Sequence, residues 1–459
     1  MPPETSDQKI ERLEGELRQR DELIGELKRT VEEIRRELEE WKRGHRVRDR
    51  KRRGRRAKPP RAEGERRKAG REVGHEGAGR PNPTRVDRTV ECRDEGACPC
   101  GGARSDVGIG RRHRVEELVI SVEVTEYQCI CQQCERCGVM TEGPLPPELG
   151  GAPKVGPHAQ AVAMALRFDA GMPVCAISRV FKEIFGLPFS PGGLSQMFER
   201  NMTKFEPANV EVRNEILEQS LVYADETGWW MDGRRSWLFA VTTPDMSVFW
   251  TSPHRDRATF QQIVPADYAG FVATDAYSVY DSLPELRHPQ CWGHVVRTAR
   301  DLSEIHGDAG DVAFRESINA FVAAAKAHRA VEWPSGDTRT EAIALFEAAI
   351  VASSAAEHPK LQKLGRRLDR KRIRYLLCLD DKAVPMTTNQ VERDLRGHIA
   401  VRKLSFGSRN PLGCLQWSQG TTLNQTLRKQ GSRLVDYVPR ALAEVTRDGT
   451  MPSVFAPSD

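Results

Sequence analysis

The chain has 459 residues, with 70 Lys and Arg against 65 Asp and Glu and a formal net charge of +5. That length allows several domains, each with its own core. No run approaches the roughly 20 apolar residues needed to cross a bilayer, and the N-terminus lacks the apolar stretch of a signal peptide. The expectation is a cytoplasmic, nucleoid-associated protein with no membrane partner.

The first element, Gln8 to Lys42, is a heptad run. Ile10, Leu17, Ile24, Val31 and Leu38 share one seam position; Leu13, Leu27, Ile34 and Trp41 share the other, broken by Arg20. Five heptads with charged residues between them predict a coiled coil over 1–43, and the β-branched residues at one position lean towards a parallel homodimer. A basic linker (44–88) follows. Lys42 to Arg71 is dense in Arg and Lys and nearly free of acids and apolar residues, so it has no core to bury and suits contact with nucleic acid.

Seven of the 11 cysteines fall between Cys92 and Cys137. In a reducing compartment such a bunch indicates metal rather than disulfides. Cys98-Pro-Cys100-Gly-Gly and Cys134-x-x-Cys137-Gly read as two knuckles of a structural Zn²⁺ site in a domain spanning 89–143, with Cys92, Cys129 and Cys131 as alternative ligands. Leu118, Ile120, Val122 and Val124 alternate with mostly polar residues and predict a strand joining the knuckles.

A Pro/Gly-rich boundary precedes a helical domain (150–212). One helix carries Ala161, Val162, Ala165, Leu166 and Phe168. A second starts at Pro173 and stops at Gly186, and a third is capped by Ser190-Pro191 and runs through Leu194, Met197 and Phe198. Helix, glycine turn and capped helix suit either a helix-turn-helix or a plain helical pair supporting the next domain.

The central stretch is Leu221 to Gly233, LVYADETGWWMDG, read as a short apolar strand ending on Asp225 and Glu226. Ser236 to Thr242 and Ser247 to Thr251 read as further strands, with turns at Gly233 to Arg235 and Pro244-Asp245. Arg257 to Ile263 suits a helix crossing to an apolar strand that runs from Gly270 into Asp275. Meander, helix, strand is the order of an α/β fold of the RNase H type. Two adjacent strands ending in acids would set two hard oxygen ligands beside one divalent cation.

After Asp275, Cys291-x-x-His294 reads most simply as part of a helix packed beside the active site, with Arg297 and Arg300 on a nucleic-acid path. Residues from about 305 to 380 are Ala-, Arg- and Leu-rich and predict a helical insertion within the catalytic domain (213–437), before a C-terminal tail (438–459). Glu392 is the candidate third acid. The pattern Asn389-x-x-Glu392 also fits a capping box, and Glu392 also stands four residues before Arg396. Arg393, Arg396, Arg402, Lys403 and Arg409 suit a helix and loop that grip phosphates.

This order of elements resembles bacterial insertion-sequence transposases of the IS-sixty-six type, which have a DDE catalytic core. The residues that carry the resemblance are Asp-Glu-Thr-Gly at 225–228, the strand into Asp275, Cys291-x-x-His294 with Arg297, Asn389-x-x-Glu392-Arg393 with Arg396 and Arg402-Lys403, and Thr426 to Gly431. The resemblance implies that Asp225, Asp275 and Glu392 are the catalytic acids. They would hold two Mg²⁺ ions, Asp225 bridging both. It further implies cleavage at the element's terminal inverted repeats and strand transfer into target DNA. The first knuckle is one residue shorter than usual, and Thr388 stands where the family often has asparagine. The rival expectations are a nuclease of the same fold without strand transfer, and a non-catalytic zinc-containing coiled-coil DNA-binding protein.

Overall fold

The computed structural model describes residues 83–92, 100–101, 109, 112–149, 154–331 and 336–455, together with Glu32 and Arg36. Most of the expected coiled coil and basic linker, and Cys98, lie outside the described residues. The chain divides into two compact units, Met1–Ser121 and Val122–Asp459. In the first unit, described residues 112–121 form neither helix nor strand, and the Arg114 guanidinium donates to the Pro83 carbonyl oxygen at 2.6 Å.

The second unit opens with a hairpin of β1 (Cys131–Gln133) and β2 (Met140–Glu142), closed by the Cys134 to Gly138 turn. The strand expected through Leu118, Ile120, Val122 and Val124 does not form. Alternation marks a strand only where a neighbour takes up its amides, and among the described residues none pairs with these, which are exposed.

Four helices follow: α1 (Pro157–Phe168), α2 (Val174–Glu183), α3 (Pro191–Lys204) and α4 (Glu206–Glu215). The start of α3 is set as its sequence dictates, with the Ser190 hydroxyl accepting from the Gly193 N–H at 3.1 Å and Pro191 in the first turn. The buried faces of these helices share one continuous core with the sheet behind them, from Ala161 to Val454.

That sheet has four strands: β3 (Leu221–Met231), β4 (Arg234–Thr242), β5 (Ser247–Ser252) and β6 (Phe271–Ala273), in the order β5-β4-β3-β6. The first three form an antiparallel meander. After a short helix, α5 (Arg257–Gln261), the chain returns as β6 parallel to β3. This is the mixed α/β order expected from the sequence.

The first hairpin differs from expectation. Its turn is Asp232-Gly233, both left-handed (φ 52° and 69°), the form a two-residue hairpin turn requires. β3 therefore runs on to Met231, and Asp225 and Glu226 lie in mid-strand rather than at its end. Pairing of Trp230 with Arg235 and of Met231 with Arg234 outweighs the poor strand propensity of Asp, Glu and Gly.

A second core belongs to the helices that follow: α6 (Trp292–His306), α7 (Ala309–Ala330), α8 (Gly336–Ser354), α9 (Pro359–Arg370) and α10 (Arg372–Asp380). Trp292 anchors it, packing against Phe321, Phe346 and Tyr375. Three helices complete the unit: α11 (Asn389–Ser405), α12 (Pro411–Lys429) and α13 (Leu434–Asp448). α12 closes the free edge of β5 with hydroxyls: the Ser247 N–H donates to Thr426 Oγ1 at 3.2 Å and the Phe249 N–H to Thr422 Oγ1 at 2.9 Å. Among the described residues no helix is long and apolar enough to cross a membrane.

Candidate active site

The register of β3 with β6 explains how two acids fifty residues apart come together. Tyr223 pairs with Ala273 in parallel. Two residues further along each chain are Asp225 and Asp275, so they reach the same level on neighbouring segments. Asp275 is fixed from its own loop, where its carboxylate accepts the Tyr277 N–H at 2.8 Å. The Asp225 carboxyl is pushed up to about 7, chiefly by burial and then by the Glu226 and Asp275 carboxylates. The Glu226 backbone N–H and His294 pull the other way.

Glu392 comes from the first turn of α11. Thr388 is the N-cap and makes no side-chain cap, and the Glu392 carboxylate turns outward to α6. There it accepts from Arg297 Nη2 at 3.3 Å and lies 3.6 Å from His294 Nε2. Its side chain is therefore engaged neither in a capping box nor with Arg396.

The start of α6 ties the segments carrying the second and third acids together. The Cys291 N–H donates to Thr274 O, beside Asp275, and the Trp292 N–H donates to Met386 O, both at 2.9 Å. The Thr388 N–H donates to Cys291 Sγ at 3.2 Å. One helical turn on from Cys291, His294 sits among the acids. A hydrogen bond with Cys291, and then the charges of Cys291, Asp275 and Glu392, raise its pKa against the effect of burial. Burial alone would raise the Cys291 thiol, but hydrogen bonds with His294 and Thr388 outweigh it and hold the thiol below its usual range. The Cys-x-x-His pair thus belongs to the site. The signal in the sequence was its place: two residues three apart at a helix start, closely following the second acid.

Glu226 is the functional-site neighbour that the sequence did not explain. It faces the opposite side of β3 from Asp225 and is only 8% exposed. Its carboxylate accepts from Arg255 Nε at 2.8 Å, from Arg255 Nη2 and from the Tyr280 hydroxyl. Three donors satisfy a charge that burial alone would not tolerate. The partners lie 29 and 54 residues away in sequence, beyond the reach of any local pattern.

The basic residues divide. Arg393, Arg396 and Lys403 are exposed along α11. Arg402 instead braces the sheet, donating to Gly228 O at 2.5 Å and to Thr227 Oγ1 at 3.1 Å, and Arg297 rests on Glu392.

As they stand, no three His, Cys, Asp or Glu side chains among the described residues are gathered closely enough to hold a metal ion. Glu392 is held on His294 and Arg297. The donors nevertheless suit a hard divalent cation: they are carboxylate oxygens, and the like-charge crowding around Asp225 is what a cation relieves. In the β1–β2 turn, hydrogen bonds to the Cys137 and Arg136 backbone and to the Cys137 side chain lower the Cys134 thiol. That pair is half of the zinc set expected from the sequence. Cys100 belongs to the first unit and Cys98 lies outside the described residues.

A parallel strand pair that brings two acids level, followed by a helix that carries a third, makes this a mixed α/β unit. Residues 154–414 match the family described as Transposase IS66 family. The match covers more than half of the chain, and the chain belongs to that family. It is also similar to the uncharacterized protein y4qI of Sinorhizobium fredii (strain NBRC 101917 / NGR234), 26% identical over 241 residues. The aligned part is 46% of this chain and 44% of that protein, so the chain spans less than half the length of this curated relative.

Proposed function

We propose that this chain is a DNA transposase that cuts at the ends of its element and joins them to target DNA, with Asp225, Asp275 and Glu392 as its catalytic acids. Membership of the family supports the class of activity. What supports the site is that each of these acids, from β3, from the loop after β6 and from the first turn of α11, interacts with the imidazole of His294.

Asp225, Asp275 and Glu392 would hold the Mg²⁺ ions, which when bound offset the negative charge developing on phosphate and favour ionisation of the attacking hydroxyl. The chain's own residues do the rest. The Tyr277 N–H orients Asp275, and the network of Glu226, Arg255 and Tyr280 fixes the strand beneath Asp225. His294 and Arg297 neutralise Glu392 until DNA and cation compete for it. Water is the first nucleophile and frees a 3′-hydroxyl at the element's end. That hydroxyl then attacks a phosphodiester of the target, bonding to its phosphorus while the target strand's own 3′-oxygen leaves and takes up a proton, and no covalent enzyme intermediate is needed.

Arg393, Arg396 and Lys403 are exposed on the helix that carries Glu392 and suit phosphate contacts. Cys98, Cys100, Cys134 and Cys137 are the proposed structural zinc ligands, and the N-terminal coiled coil is the proposed dimer contact that pairs two ends. Asp225→Asn tests the reading: Mg²⁺-dependent end cleavage is lost while binding to the terminal repeats remains. A variant that still cuts refutes the assignment. Cleavage by the wild-type protein without strand-transfer products identifies a nuclease instead.

A further inference from the structure

The face of the sheet that bears Glu226 carries a second feature, which the three acids do not account for. Cross-strand partners share a face, and Trp230 pairs with Arg235 while Gly228 pairs with Trp237. Side chains then stack in sequence along this face. The Arg235 guanidinium lies over the Trp237 ring at 4.6 Å. The Arg255 guanidinium lies over Trp237 at 4.3 Å and over Tyr277 at 3.6 Å. Five side chains form a continuous row: Trp230, Arg235, Trp237, Arg255 and Tyr277.

The two ends of the row differ. At one end Tyr277 supplies the backbone N–H that holds Asp275, and Arg255 is bonded to Glu226 beside Asp225. At the other end Trp230 is 42% exposed, Arg235 is exposed, and Arg235 makes no ion pair among the described residues. Trp230 thus keeps a large part of its ring in water, next to an arginine without a carboxylate. Gly228 places no side chain between Glu226 and Trp230, and the Arg402 guanidinium takes up the space beside it. From Glu226 to Trp230 is four residues of extended strand, about 13 Å, which matches about four stacked bases.

We propose that this row is a stacking platform for an unpaired DNA strand, with a base on Trp230, the Arg235 charge on the backbone, and the strand led towards Asp275. An exposed aromatic ring beside an exposed arginine, continued by rings interleaved with arginines, has the chemistry that binds single strands without reading sequence. Duplex DNA, whose bases already stack on each other, offers these rings nothing. The inference deepens the transposase reading and rests on it, since unpaired DNA arises where an element's end is opened.

The test uses the full-length protein without Mg²⁺. The probes are a 12-nucleotide single strand carrying 2-aminopurine and a blunt duplex of the same sequence, at one fixed salt concentration. The wild-type protein is expected to quench the single-strand probe. Trp230→Ala removes the quench and weakens single-strand binding about ten-fold, while duplex binding stays within two-fold. Trp230→Phe restores most of both signals, and Arg235→Gln repeats the loss from a second, fully surface position. Trp230→Ala and Arg235→Gln variants that bind and quench like the wild type overturn the platform. So does an equal loss on duplex, or a change in oligomeric state with DNA binding intact. A wild-type protein that quenches the probe but makes no cut with Mg²⁺ leaves the platform standing and removes the transposase reading. One that cuts, but whose Trp230→Ala variant is unaltered in this assay, does the reverse.

Discussion

Asp225→Asn has a consequence that precedes catalysis. The Asp225 carboxyl rises from its ordinary 3.8 to about 7, first through burial and then through Glu226 and Asp275. Between those values the folded chain keeps a proton that the unfolded chain has released, so stability is fully present below about pH 4 and is lost as pH rises through 7. About three pH units at 1.36 kcal/mol each give a ceiling of about 4 kcal/mol, which water entering the site on ionisation lowers. Asparagine keeps the shape and the acceptor for the Glu226 N–H but carries no charge. Urea denaturation without divalent cations is therefore expected to show the variant level with the wild type at about pH 3.5 and more stable by about 2–4 kcal/mol near pH 8. Mg²⁺ should close that gap by stabilising the wild type alone. A difference that does not change with pH, or a variant less stable at pH 8, refutes the account of this site.

Other expectations follow from the same contacts. Arg255→Ala strands the Glu226 carboxylate in the core with only Tyr280 as partner; a loss of about 3 kcal/mol is expected in denaturant unfolding, smaller at low pH where Glu226 takes up a proton. Cys291→Ala removes the acceptor for the Thr388 N–H and costs about 1 kcal/mol, whereas Cys291→Ser keeps an acceptor and costs less. End cleavage by the alanine variant falls with kcat rather than KM if Cys291 positions the acid-bearing segments. Thr422→Val and Thr426→Val each leave a β5 amide without its partner. Each should destabilise by about 1–3 kcal/mol and speed hydrogen exchange at Phe249 and Ser247.

Asp225 and Asp275 were legible because apolar strands leading into acids form a local pattern, and the parallel register turned that pattern into proximity. The length of β3 was not, because Asp, Glu and Gly weaken a strand locally while nine paired residues of β4 hold it. Leu118 to Val124 erred in the opposite direction: the alternation was present, and among the described residues the neighbour was not. For Glu392 a helix start was readable, but the direction of its side chain was decided by Arg297 and His294, 95 and 98 residues earlier, and no spacing rule reaches them. The bracing role of Arg402 was hidden for the same reason. An arginine in a basic cluster looks like a phosphate ligand until its own partners, Thr227 and Gly228, are seen.

The hydroxyls that α12 lends to β5 bear on how the protein can be dissected. The stretch matched to the family ends at residue 414, whereas Thr422 and Thr426 lie beyond it. Trimming the chain at that border would uncover a raw strand margin, inviting neighbouring molecules to zip onto it. Any minimal fragment meant for crystallisation or assay should therefore retain the whole of α12, even though the three acids all precede it.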